Sequence, residues 1–136
     1  MINFTIPGPP VGKQRPRFVR HGRHVQAYTP AQTVNYEALV KQTFAAKYPD
    51  FVPLPGPVRM MLSIYIMPSK ETARKIKKSV ASIRPTIKPD ASNVLKAVED
   101  ALNGLAYQDD KQVVDVSISK HYSTRPMVAV VVKELP

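Results

Sequence analysis

The sequence predicts an α+β fold: one compact domain over residues 1–136, with a mixed β-sheet packed against two or three helices. Three observations carry that expectation. Residues 2–6 and 57–67 alternate apolar and polar side chains, the period of a strand with one face buried. Residues 92–103 instead repeat their apolar positions at helical spacing, and helix-start residues at 29–32 introduce a helix to about Tyr48. The order of these segments, β-(β)-α-β-(α)-α-β-β, mixes hairpin-like and crossover connections, so a purely parallel or purely antiparallel sheet is not expected.

The elements follow in order. Ile2 to Ile6 alternate and stop at the Pro-rich run Pro7–Pro10. Lys13 to Arg23 is basic, punctuated by proline and reads as irregular, and His24–Tyr28 reads as a short strand after a turn at His21-Gly22. Thr29-Pro30-Ala31-Gln32 then offers an N-cap, a proline at the first helical position and a capping-box glutamine, predicting a helix to about Tyr48. Pro57–Met67 is the clearest strand, with Val58, Met60, Leu62, Ile64 and Ile66 on one face. In residues 69–83, Ala73, Ile76, Val80 and Ile83 have a 3-4-3 spacing among Lys70, Arg74, Lys75, Lys77 and Lys78, which predicts a basic helix. A further helix is expected from about Ser92 to Asn103, ended by Gly104, with a buried stripe of Val94, Leu95, Val98, Ala101, Leu102 and Leu105. Strands over 112–120 and 127–134 close the chain around a turn at Ser123–Pro126.

Composition narrows the function. The chain has 43% hydrophobic residues, enough for a folded core, and no cysteine, which excludes disulfides, thiolate zinc sites and a cysteine nucleophile. No apolar run approaches the ~18 residues of a membrane span, and the first residues lack the pattern of a signal peptide, so a cytoplasmic protein is expected. A net charge of +10 implies a polyanionic partner, with nucleic acid the default and an anionic membrane the alternative. No basic helix carries the apolar face of a membrane binder, so no membrane partner is expected. The charge is unevenly distributed. Residues 1–89 hold 15 basic and 3 acidic side chains, whereas residues 90–136 hold 5 basic and 7 acidic ones. Carboxylates gathered in one segment of a basic protein suggest a metal site within a phosphate-binding surface.

Three clusters could carry that chemistry. Gly12-Lys13-Gln14-Arg15-Pro16-Arg17 is one residue short of a P-loop and has Gln14 where a Mg²⁺-binding hydroxyl belongs, so nucleotide binding is rejected. As a basic loop it suits phosphate backbones, with a merely solvated loop the equal alternative. Lys88-Pro89-Asp90-Ala91-Ser92-Asn93 opens a helix, and a simple capping role explains most acids in such a place. Asp109-Asp110 is less easily explained, because adjacent carboxylates repel unless a cation joins them. Oxygen ligands suit Mg²⁺, with Mn²⁺ the alternative, whereas the three histidines, His21, His24 and His121, have no zinc-like spacing. Residues 104–109 could span ~20 Å, enough to return toward the start of the preceding helix. Lys96 aligns with Ser92 and Asp100 at i, i+4 and i+8, where an ordinary Lys–Asp pair is the simplest reading and phosphate stabilisation the sharper one.

Taken in order, G-P-P-V-G-K-Q-R-P-R, K-P-D-A-S-N-V-L-K-A-V-E-D-A-L-N-G and D-D-K-Q-V-V-D resemble the RusA family of Holliday-junction resolvases, from Pro7 to about Lys120. The resemblance implies a RusA-like fold and a homodimeric, Mg²⁺-dependent crossover junction endodeoxyribonuclease, often carried by prophages, that acts in DNA recombination and repair. Its substrate would be branched DNA, the four-way junction, cut by paired nicks. It implies that Asp90 and Asp110 are metal-binding catalytic carboxylates and Lys96 an active-site lysine. Lys13, Arg15, Arg17 and Lys88 would belong to the DNA-binding surface. The family pattern K-P-D-x-D-N departs at one place, where Ser92 replaces the second Asp. A variant compensated by Asp100 or Asp109, a non-catalytic branched-DNA-binding relative, and an engineered substitution all remain open. A basic RNA-binding protein is a further rival, one that leaves the acidic segment unexplained.

Overall fold

The alternation read from the sequence becomes a four-stranded sheet with one face in the core. In the computed structural model, which describes residues 1–79 and 82–136, the strands are β1 (Ile2–Pro7), β4 (Val58–Ile66), β5 (Val113–Tyr122) and β6 (Met127–Glu134). They lie in the order β1-β6-β4-β5. Pairings β1–β6 and β6–β4 are antiparallel and β4–β5 is parallel, which makes the sheet mixed. Ile2, Phe4 and Ile6 of β1, Met60, Leu62 and Ile64 of β4, and Val128, Val130 and Val132 of β6 all point into the core. Together with the helices this is the α+β architecture expected.

Two helices bring their apolar stripes to that core. Helix α1 (Ala31–Lys47) buries Thr33, Tyr36, Val40 and Phe44, and α3 (Ala91–Leu102) buries Val94, Ala97, Val98, Ala101 and Leu102. Phe44 anchors one end of the core, its ring meeting those of Phe4, Tyr48 and Phe51 at centroid separations of 5.6 Å each. Gly104 follows α3 with φ +81°, a left-handed conformation that glycine adopts without strain. The adjacent backbone is fixed by Tyr107, buried, whose hydroxyl donates to the Glu99 carbonyl at 2.8 Å.

Three expectations need correction. The segment read as irregular contains a strand, β2 (Arg17–His21), which pairs with β3 (His24–Tyr28) in a separate two-stranded sheet. Its alternation escapes notice because neither face is buried, so apolar and basic residues mix on both. Helix α1 begins at Ala31 with Pro30 in the N-cap position and no side-chain cap, so the expected Thr29/Gln32 capping box does not form. Thr33 and Gln32 spend their oxygens on Gln14 instead. The basic helix, α2, spans Lys70–Lys78 rather than 69–83. Position Val80 lies outside the described residues, and Ile83 is not helical. Helix α2 buries no residue, so little beyond the Ser69 cap and a Glu71–Lys75 pair sustains it, and unpacked helices of this length are marginal.

The core and the hairpin should therefore answer differently to the same substitution. Phe44→Ala is expected to cost about 3–5 kcal/mol of unfolding free energy. Phe18→Ala, on the exposed face of β2, should shift it by less than about 0.5 kcal/mol. Denaturant melts of the two variants check this, and a large loss at Phe18 would show the hairpin to be packed.

Candidate nucleic-acid interface and acidic site

The basic loop after β1 is fastened in place by hydrogen bonds that sequence spacing could not reveal. The Lys13 backbone N–H donates to the Asn93 carbonyl at 2.9 Å, joining the loop to the first turn of α3. The next N–H, of Gln14, donates to Thr33 Oγ1 at 3.1 Å, and its side-chain amide donates to Gln32 at 3.0 Å, joining the loop to the start of α1. Gly12 lies so close that an added Cβ would stand 3.1 Å from Asn93 Cβ and 3.3 Å from Pro89 Cβ. Residues 88–90 are held from the other side, where the Lys120 ammonium of β5 donates to the Ile87 carbonyl at 2.6 Å. The described residues leading into α3, 82–90, form no strand, and Lys88-Pro89 is a cis peptide.

The loop and the start of α3 thus form the walls of one open cleft of about 880 Å³. Lys13, Arg15, Arg17 and Lys88 line it, together with Asp90 and Asn93. The first two sequence clusters, distant in the chain, are one site in space. Arg15, Arg17 and Lys88 are exposed. Lys13 is different, because its ammonium lies between Glu37 of α1, at 3.3 Å, and Asp100 of α3. Burial disfavours the ammonium, but hydrogen bonding and charge from Asp100 and Glu37 outweigh it and raise the pKa above the usual lysine value. Lys13 therefore joins three elements while its backbone lines the cleft.

The acidic residues divide by what already occupies them. Asp100 pairs with Lys13 and, at 3.5 Å, with Lys96, so the plain Lys–Asp pair anticipated for Lys96 is present. Asp109 caps a short 3₁₀ turn, Asp110–Gln112. Its carboxylate accepts the Lys111 N–H at 2.9 Å, which holds its pKa below the usual range, and Gln112 completes a capping box by accepting the Asp109 N–H at 2.8 Å. Asp90 stands at the N-cap position of α3 yet makes no capping bond, its nearest partner being the Asn93 amide at 3.5 Å. The capping role that explains most acids in this position does not explain Asp90.

Asp110 does not line the cleft; its charge is felt by Glu99 on α3 and by Tyr107. Glu99 was invisible in the sequence reading, since nothing in the helical period marks it. Burial first, then the charges of Asp110 and Asp100, push the Glu99 carboxyl above its usual range, with Lys96 opposing them. Ser92 is exposed on the first turn of α3 and brings no charge. Among the described residues no group of three or more histidine or acidic side chains is arranged to hold a metal. Asp90 and Asp110, the latter with a side-chain hydrogen bond to Asp109, offer hard carboxylate oxygens, the donor type that suits a cation taking one or two carboxylates and completing its shell with water and phosphate.

Comparison with known proteins agrees with the three motifs. A family model described as Endodeoxyribonuclease RusA matches residues 7–133. The chain belongs to the RusA endodeoxyribonuclease family. It is also similar to the uncharacterized protein YqaN of Bacillus subtilis (strain 168), with 40% identity over 139 residues, covering 98% of this chain and 96% of that one. Membership makes this a Holliday-junction-resolvase-like nuclease domain that engages branched DNA. Among the described residues no helix is long and apolar enough to cross a membrane.

Two outcomes test this site. Because Glu99 is harder to ionise when folded, its charge costs stability above its folded pKa, and that cost vanishes below the unfolded value. In metal-free buffer Glu99→Gln should be more stable than the parent at pH 7, with the advantage lost as pH falls through the carboxylate range; a pH-independent difference would place Glu99 elsewhere. In the salt dependence of DNA binding, Arg15→Ala and Arg17→Ala should each reduce the slope of log K against log salt by ~0.9. Lys13→Met should reduce it less and instead lower stability by about 1–2 kcal/mol. Equal slope changes at all three positions would show the Lys13 ammonium to be free for phosphate.

Proposed function

We propose that the chain is a Mg²⁺-dependent endodeoxyribonuclease that nicks four-way DNA junctions as a homodimer in the cytoplasm, serving recombination and repair. The observation that carries this is the cleft itself, where a basic loop and the uncapped carboxylate of Asp90 share one surface. A polyanion bound there meets exposed Arg15, Arg17 and Lys88 beside the carboxylate of Asp90, an arrangement that serves phosphodiester chemistry better than passive binding. Two copies related by a two-fold axis would suit a two-fold symmetric junction.

Each residue then has a role. Arg15, Arg17 and Lys88 hold phosphates and set the register of the strand, and Lys13 secures the loop that carries the arginines. Asp90 and Asp110 are the proposed ligands of the cation, which supplies a polarised phosphate and an activated water when bound. Lys96, kept near by Asp100, supplies positive charge toward the phosphate. Asp100 and Asp109, the two acids that could replace a carboxylate missing at Ser92, are engaged by lysines and by a cap. Glu99, beside Asp110, is the less committed carboxylate. Ser92 itself favours a second reading, in which the chain binds junctions without cutting them.

Incubation of labelled four-way junction and of duplex, with and without Mg²⁺, tests the reading. Mg²⁺-dependent nicking of the junction supports it, binding without nicking supports the second reading, and indifference to DNA removes both. Asp90→Asn and Asp110→Asn should abolish nicking, leave junction binding intact or tighter, and weaken Mn²⁺ binding in calorimetry. Ser92→Asp should raise Mn²⁺ affinity and speed nicking with little loss of stability, since aspartate suits a helix start as well as serine does. No change in metal affinity at any of the three positions would place the metal elsewhere.

A further inference from the structure

The β2–β3 hairpin has no role in the core and none in the cleft beyond Arg17. All ten of its residues are exposed, and it pairs with no other strand. Its turn is Gly22-Arg23, with positive φ at Gly22 and not at Arg23, the requirement of a type II′ turn, which matches the right-handed twist of a tight ribbon. The ribbon is therefore well formed although, among the described residues, it pairs with no other strand and buries none of its own residues. Its pairing register sorts the side chains. Phe18 and Ala27, then Arg20 and Val25, lie on one face; Arg17, Val19, His21, His24, Gln26 and Tyr28 lie on the other. Phe18 is 71% exposed and Val25 64%. A two-stranded ribbon is marginal alone in water, and leaving its apolar side chains in solvent adds no stability.

What would cover such a ribbon is indicated by its charge and its attachment. Arg17, Arg20 and Arg23 belong to it, and no acidic residue precedes Glu37 in the whole chain. It grows from the loop that lines the cleft and extends five residues per strand, ~17 Å. A two-stranded ribbon fits a DNA groove, and apolar side chains such as phenylalanine can enter between bases once a step is opened. Resting on the junction reading above, we propose that the β2–β3 hairpin is a DNA-engaging arm. Its Phe18 face lies against the unstacked bases of a branch point, and its arginines hold the flanking phosphates. The cleft then grips the backbone while the arm recognises the opened base pairs, so that preference for branched DNA over duplex resides in the hairpin.

The test uses the full chain, a four-way junction carrying 2-aminopurine beside the branch point, and metal-free buffer so that nothing is cut. Binding of the parent protein should raise the fluorescence as the base loses its stack. Phe18→Ala should abolish most of that rise and weaken junction binding about five- to a hundred-fold, the range of one lost base–aromatic stack, while affinity for duplex changes little. Arg20→Ala should lower the salt slope by ~0.9 and keep the fluorescence rise. A parent that binds the junction, with Phe18→Ala equal to it in affinity and fluorescence, overturns the arm and leaves the cleft reading standing. A parent that binds neither DNA overturns both. Should Phe18→Ala instead shift the sedimentation of the DNA-free protein toward a smaller species without changing the fluorescence rise, the face is a contact between copies and the arm is overturned.

Discussion

Lys13 holds the site together. Its backbone N–H ties the basic loop to the carbonyl of Asn93, and its ammonium lies between Glu37 of α1 and Asp100 of α3. One residue thus joins the loop to both helices on the core face of the sheet. Without that junction the loop that carries Arg15 toward β2 would be tied to α1 through Gln14 and would lose its bond to the start of α3. The half-buried ammonium also relieves an acidic pair that α1 and α3 would otherwise hold against each other. Gly12 completes the arrangement, because an added side chain would press on Pro89 and Asn93.

The same logic sorts the carboxylates of a basic protein. Asp100 neutralises lysines, Asp109 caps a turn, and Asp115 pairs with Arg59 across β5 and β4 at 2.8 Å. Those acids have structural work that accounts for them. Asp90 makes no capping bond, and the charge of Asp110 adds to burial in making Glu99 harder to ionise. Under the proposed function, acids of this kind are what a divalent cation would use. Ser92 matters for that reason: it withholds a charge where the family pattern has one, and the neighbours best placed to replace it are occupied.

Much of the fold was legible because burial writes a period into the sequence. β1, β4 and β6 alternate cleanly since each has one face in the core, and the stripe of α3 follows for the same reason, whereas α1 is announced by the residues at its start. The hairpin was half missed because both of its faces meet solvent, so Arg17–His21 carries no such period. The start of α1 was misread because Gln32 and Thr33 serve a tertiary partner, Gln14, that no local rule anticipates. In the site, the three motifs identified the family and the candidate residues in order. Their meeting was only partly legible. The loop and the start of α3 converge through backbone hydrogen bonds, which leave no mark on residue type, and Asp109 is taken up as a cap through the reach of Gln112.

The central claim is that the loop and the start of α3 act as one DNA-binding surface. Gly12→Leu tests it most directly, since its side chain must push the loop away from Pro89 and Asn93 while leaving every basic residue in place. The measurement is junction affinity in metal-free buffer, with thermal unfolding as the check that the core is intact. The account predicts a folded protein whose affinity falls about ten-fold or more, toward that of a variant lacking both Arg15 and Arg17. A folded Gly12→Leu protein that binds the junction as tightly as the parent would contradict it, because the arginines would then act without the clasp that places them.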